Sequence, residues 1–164
     1  MKRSHAAAAL ACIALLVAGL GIAAAQHRHD HSPAAPAAAK TEDKREFVKY
    51  PPHLVEHTLA NMRDHLLALQ EIQDHLGMGH FEVAARIAES RLGMSSLGLH
   101  GAHEVAKFMP QGMQDAGTAM HRSASQFATI AKDASVTGDL RPALAALARV
   151  NQTCVACHAG YRLH

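Results

Sequence analysis

Cys154-Val155-Ala156-Cys157-His158-Ala159-Gly160-Tyr161-Arg162 ends the last strongly periodic segment of this 164-residue chain. On a helix, residues three and four apart share a face. Cys154, Cys157 and His158 therefore project together from successive turns. Cys-x-x-Cys-His is the attachment pattern of a c-type haem, in which two thiols add across the vinyl groups and the imidazole ligates the iron. Three other uses of the cysteines compete with that reading. A redox dithiol belongs at the start of a helix after a strand, and no such context surrounds it. Half of a zinc site needs a second ligand pair at matching spacing, and no second Cys pair exists. A short-loop disulfide leaves His158 without a role. Haem attachment accounts for all three residues.

Upstream of the motif, Leu140, Leu144, Leu147, Val150, Cys154, His158 and Tyr161 share one face of a helix expected over about 139–160. Pro142 falls in its first turn, where a missing N–H is tolerated. Three more helices precede it. Segment 53–77 places Val55, Leu59, Met62, Leu66, Leu69 and Leu76 at steps of three and four, and Gly77 and Gly79 stop it. Segment 80–99 carries Phe81, Ala84, Ala85, Ile87, Ala88 and Leu92 before a looser, glycine-punctuated stretch. Segment 111–134 aligns Met113, Ala116, Met120, Phe127 and Ile130. No alternating strand pattern competes. The expected fold is all-α, an antiparallel four-helix bundle with the haem near the end of the last helix. The apolar stripes are rich in Ala and Met, with four Phe, two Tyr and no Trp. A core so thin needs added apolar area, which a buried haem supplies, so the haem-free protein is expected to fold poorly.

The other end of the chain names a compartment. Lys2 and Arg3 precede an apolar run from Ala6 to Ile22, and Ala23-Ala24-Ala25 offers a small-residue cleavage site. This reads as a secretory signal peptide over 1–25, cleaved near Ala25; the competing reading is an uncleaved anchor. Cys12 lies inside the apolar run and leaves with it. The expected location is a bacterial periplasm. Loss of 1–25 removes two of the 16 basic residues and none of the 14 acidic ones, leaving a formally neutral chain with His uncharged. That balance argues against nucleic acid as a partner. Residues 26–49 read as a disordered His/Ala/Pro-rich leader ahead of a domain over 50–164. Within it His27, His29 and His31 form a short chelating tract. They support a further reading, a periplasmic metal-binding module that also draws on Met113 and Met120.

The C-terminal motif, with its aromatic and basic residues at Tyr161 and Arg162, resembles that of the cytochrome c′ family, periplasmic four-helix bundles with one covalent haem on the last helix. The resemblance spans about residues 50–164. It implies that Cys154 and Cys157 carry one haem c, that His158 is the proximal ligand, and that Arg162 lies near it. The bland reading of Arg162 is a solvated charge complementing the helix dipole. The family takes its distal residue from the first helix: an apolar residue leaves the iron open to NO or CO, and a Met closes it for electron transfer. Met62, followed by Arg63, matches the Met-ligated branch and is the sixth-ligand candidate. Thr58 stands where many members carry Arg. If Met62 is only core filler, Leu59 or Leu66 caps a five-coordinate haem. Met78 is a weaker candidate. Beyond His53, His57, His65, His75, His80, His100, His103 and His121 as mostly surface side chains, the sequence offers no nucleophile–base set, phosphate loop or paired carboxylates. An electron carrier with periplasmic redox partners is expected, not an enzyme. Pairing through first helices, hence a homodimer, is implied by the resemblance alone.

Overall fold

The computed structural model describes residues 42–163. The signal segment and the leader histidines His27, His29 and His31 lie outside the described residues. Helix accounts for 76% of what is described, in five α-helices: α1 (Pro52–Gly77), α2 (Phe81–Arg91), α3 (Ala102–Ala106), α4 (Gln111–Thr137) and α5 (Leu140–Gly160). The fold is all-α apart from one two-residue strand pair, β1 (Glu46–Phe47) with β2 (Tyr161–Arg162).

Local chemistry sets most of the helix bounds. Pro52 opens α1, where its fixed φ suits the first turn. Asp139 caps α5 by accepting from the Arg141 N–H at 3.0 Å. Gly138 ends α4 at φ 72°, a left-handed position that glycine adopts without steric cost. The second expected helix is shorter than its sequence segment. It stops at Arg91, and a 3₁₀ turn (Met94–Ser96) and the short α3 replace the rest. Glycine drives the break: Gly93 packs against Glu89, and Gly101 takes φ 59°.

α1 packs on α2, α2 on α4, and α4 on α5. The main core runs through these three interfaces, and ten of its eighteen buried residues are alanine, so the helix axes can approach closely. Phe127, Ile72, Leu92 and Val150 fill the spaces between. A second cluster of Val48, Tyr50, Leu54 and Val105, flanked by Met113 and Tyr161, closes the end where α1 begins.

Two expectations need correction. The stretch 42–49, expected to end a disordered leader, includes strand β1, which pairs in parallel with β2, and its Val48 is buried beside Tyr50. Alternating β-prone and aromatic residues from Phe47 to Tyr50 supplied enough apolar area to dock. The second correction concerns α1. Its buried face is Leu54, Thr58, His65, Ala68, Ile72 and Leu76, one position behind most of the expected stripe. Val55, Leu59, Met62 and Leu69 are only half-buried and Leu66 is 69% exposed. α1 thus has two apolar edges, and only one is spent on α2.

Candidate haem site

The second edge of α1 looks toward α5. The strand pair holds the start of α1 and the end of α5 at the same end of the molecule, yet among the described residues these two helices scarcely pack on one another. Between them lies a cleft of about 430 Å³, lined by Leu66, Leu69 and Gln73 from α1 and by Asn151, Cys154 and Val155 from α5. That volume is in the range of ordinary cofactor sites. Most of its wall area is apolar, though Gln70, Gln73, Asp74 and Asn151 also line it, and two apolar residues stay open to solvent, Leu66 at 69% and Val155 at 66%. Leaving such side chains wet forfeits about 25 cal/mol for each Å² of apolar surface that could be covered.

Cys154 and Cys157 are both free and half-buried, one turn apart on α5. Burial pushes both thiols above their ordinary range, and Cys154 adds to the effect at Cys157. They therefore rest as protonated thiols at neutral pH. His158 follows on the exposed side of the same turn, with its imidazole clear of the core. Tyr50 faces Cys157 from the small cluster. Burial first, and the nearby thiol second, push its phenol up to about 12, and its buried hydroxyl has no hydrogen-bond partner. Thr58, on the buried face of α1, also has an unpartnered hydroxyl.

The remaining candidates fall in different places. Met62 is half-buried on α1, one turn before Leu66, and does not line the cleft itself. Met78 is 57% exposed beyond the far end of α1. Arg162 turns to the chain ahead of α1: its guanidinium stacks 5.1 Å from the Phe47 ring centre, and Nε stands 3.5 Å from Asp43 Oδ2. That separation is an ion pair rather than a hydrogen bond, which is why Nε also counts as unpartnered. Met113 and Met120 lie in separate clusters, Met120 in the main core and Met113 beside Tyr50; this counts against their sharing one metal.

One group was missed in the sequence. His65, His100 and His121 are buried together, each with 8–9% of its surface exposed. Their ring centres stand 4.6, 5.4 and 6.3 Å apart. His65 had a signal, since it lies seven residues after Thr58 and three before Ala68 on the buried face of α1. His100 gave none, because a loop places it.

No known protein family, curated protein or solved structure matches this chain. The cleft, the Cys154 thiol on its wall and the apolar edge of α1 carry the functional reading. The residues present suit a haem in their donor set: Cys154 borders the cleft, Cys157 lies one turn further along α5, and the His158 imidazole follows them in sequence.

Proposed function

We propose that this chain is a periplasmic monohaem c-type cytochrome of the cytochrome c′ kind that transfers electrons between redox proteins. In this reading α1, α2, α4 and α5 form an antiparallel four-helix bundle. Haem c is attached at Cys154 and Cys157, with His158 as proximal ligand and Met62 as sixth ligand. The observation that carries it is the cleft between α1 and α5, where Cys154 meets a leucine edge left wet among the described residues. The bound group supplies a one-electron couple, and His/Met ligation raises its potential. The chain's own contribution is to fix the group at two points, exclude water with Leu66 and Leu69, and present Tyr50 as a hydrogen-bond donor beside Cys157. In this reading the chain carries electrons and makes no covalent change in a substrate.

A second reading rests on a specific observation. Leu66, not Met62, lines the cleft beside Cys154. An apolar distal residue would leave the iron five-coordinate and open to NO or CO.

Visible spectra of protein purified from a haem-maturing host test both. A low-spin ferric spectrum that is lost in Met62→Ala supports the electron carrier. A high-spin ferric spectrum, with rapid CO binding after reduction, supports the gas-binding reading. Absence of covalent haem would refute both.

A further inference from the structure

The three buried histidines are unused by either reading, and they are poor packing residues. A buried polar ring costs free energy unless its nitrogens are partnered. Here the partners leave a pattern. The Nδ1–H of His121 donates to the Leu92 carbonyl at 2.8 Å; a carbonyl only accepts, so this nitrogen carries the proton and Nε2 keeps its lone pair. The Ser96 hydroxyl donates to the Gly93 carbonyl at 2.7 Å. Its oxygen is then left to accept, and His100 Nδ1 lies 3.4 Å away. His100 is thereby also protonated at Nδ1, with its Nε2 lone pair facing His65. The His65 Nε2–His100 Nε2 distance is 3.3 Å. From α1, His57 Nε2 and Asn61 Nδ2 both hold the His100 carbonyl, at 3.0 and 3.2 Å, and pin this loop to the helix.

Histidines that bind metal through Nε2 almost always donate Nδ1–H to a carbonyl, carboxylate or water, which fixes ring and tautomer. His100 and His121 have such outer partners. Two nitrogens each about 2.0–2.1 Å from a zinc ion, at the tetrahedral angle, stand roughly 3.3 Å apart, which is the spacing of the His65–His100 pair. Among the described residues, no three His, Cys, Asp or Glu side chains are placed to hold an ion as they stand. The third ring is what is short: the His121 ring centre stands 5.4 Å from that of His100 and 6.3 Å from that of His65. Closing a site requires it to tilt inward about its Leu92 hydrogen bond.

We propose that His65, His100 and His121 bind a divalent transition-metal ion in the core beside Ser96. His100 is preset, His65 must first move to Nδ1 the proton that its Nε2 now donates to His100, and His121 closes the site. Three neutral imidazoles suit zinc, nickel or copper over magnesium or calcium, and a fourth position is left to water. Ion binding replaces the His65–His100 hydrogen bond with two metal–nitrogen bonds and ties the loop after α2 to α1 and α4. None of its residues lines the cleft.

The test uses the full haem-loaded chain with His27, His29, His31 and His80 replaced by Ala. These changes remove the leader tract and the exposed His75–His80 pair, whose Nδ1 atoms lie 3.5 Å apart. After chelator treatment the protein is dialysed against zinc alone. One zinc per chain is expected, with an X-ray absorption edge fitting three imidazole nitrogens at about 2.0 Å. His121→Gln should weaken binding about a hundredfold and Ser96→Ala about tenfold, as loss of a ligand and of its outer partner do. The parent's coordination spectrum needs no variant to fold. Substoichiometric zinc, an oxygen-only shell, or unchanged affinity in His121→Gln would overturn the proposal.

Discussion

Acid should weaken this fold through His65. Burial, followed by the neighbouring His100 and His121, brings its pKa down from 6.5 to about 4. The folded protein therefore resists a proton that the unfolded chain accepts readily. Between pH 6.5 and 4 the unfolded state binds more protons, so stability falls as pH falls and the loss levels off below about 4. A shift of this size, at 1.36 kcal/mol per pKa unit, amounts to a total of about 3 kcal/mol. At pH 4.5 about 2.5 kcal/mol of it is already lost relative to pH 7.5. No carboxylate offsets this at close range: Asp64 pulls the other way, but its charge is shared with Arg91. The assay is urea unfolding of the haem-loaded protein at pH 7.5 and 4.5, in chelator, for the parent and for His65→Leu. The parent should lose about 2.5 kcal/mol more than the variant over that interval. Equal losses within about 0.5 kcal/mol, or a His65 proton resonance titrating near its ordinary 6.5, would refute the reasoning.

Other perturbations probe other parts of the structure. Replacing both Cys154 and Cys157 by Ala should abolish covalent haem and, by exposing the leucine edge of α1, lower the melting temperature by several degrees in a thermal scan. Gly93→Ala would place a Cβ 2.6 Å from Glu89 Oε2 and 2.8 Å from the Glu89 carbonyl oxygen. The carboxylate can move but the carbonyl cannot, so a loss of about 1–3 kcal/mol is expected in denaturant unfolding. Arg91 ties the end of α2 to Asp64 (Nε to Oδ2, 3.1 Å) and to Glu71 on α1 (2.5 Å). Partial solvent exposure screens the pair, so Arg91→Ala should cost about 1 kcal/mol, and less at high salt.

The long helices were legible because their signals are local. Pro52, Gly138 and Asp139 mark ends by backbone chemistry that depends on nothing distant, and α4 and α5 were bounded to within a few residues. The end of α2 was only partly legible: Gly93 and Gly98 marked the stretch as loose, but the stop at Arg91 and the 3₁₀ turn and α3 that follow depend on how Gly93 packs on Glu89. The apolar stripe of α1 misled for an instructive reason. Leu59, Met62, Leu66 and Leu69 look like a core face, but Thr58, His65 and Ala68 are the residues that are buried. Periodicity finds apolar edges without saying which partner covers each. The Cys-x-x-Cys-His spacing was plain in sequence, whereas the histidine cluster depends on a loop bringing His100 to α1. Tertiary placement of that kind leaves no periodic trace.

The parallel pairing of Glu46–Phe47 with Tyr161–Arg162 joins segments about 115 residues apart, a long loop to close for so few hydrogen bonds. Such a clasp forms late in folding and opens early. The amide of Val48, held by the Arg162 carbonyl at 2.9 Å, should thus exchange its hydrogen far sooner than amides in the middle of α4. Opening there loosens the turn that follows Cys157 and His158 while the alanine-rich interfaces stay shut. The end of α5 that carries the attachment motif can therefore breathe on its own timescale, separate from global unfolding.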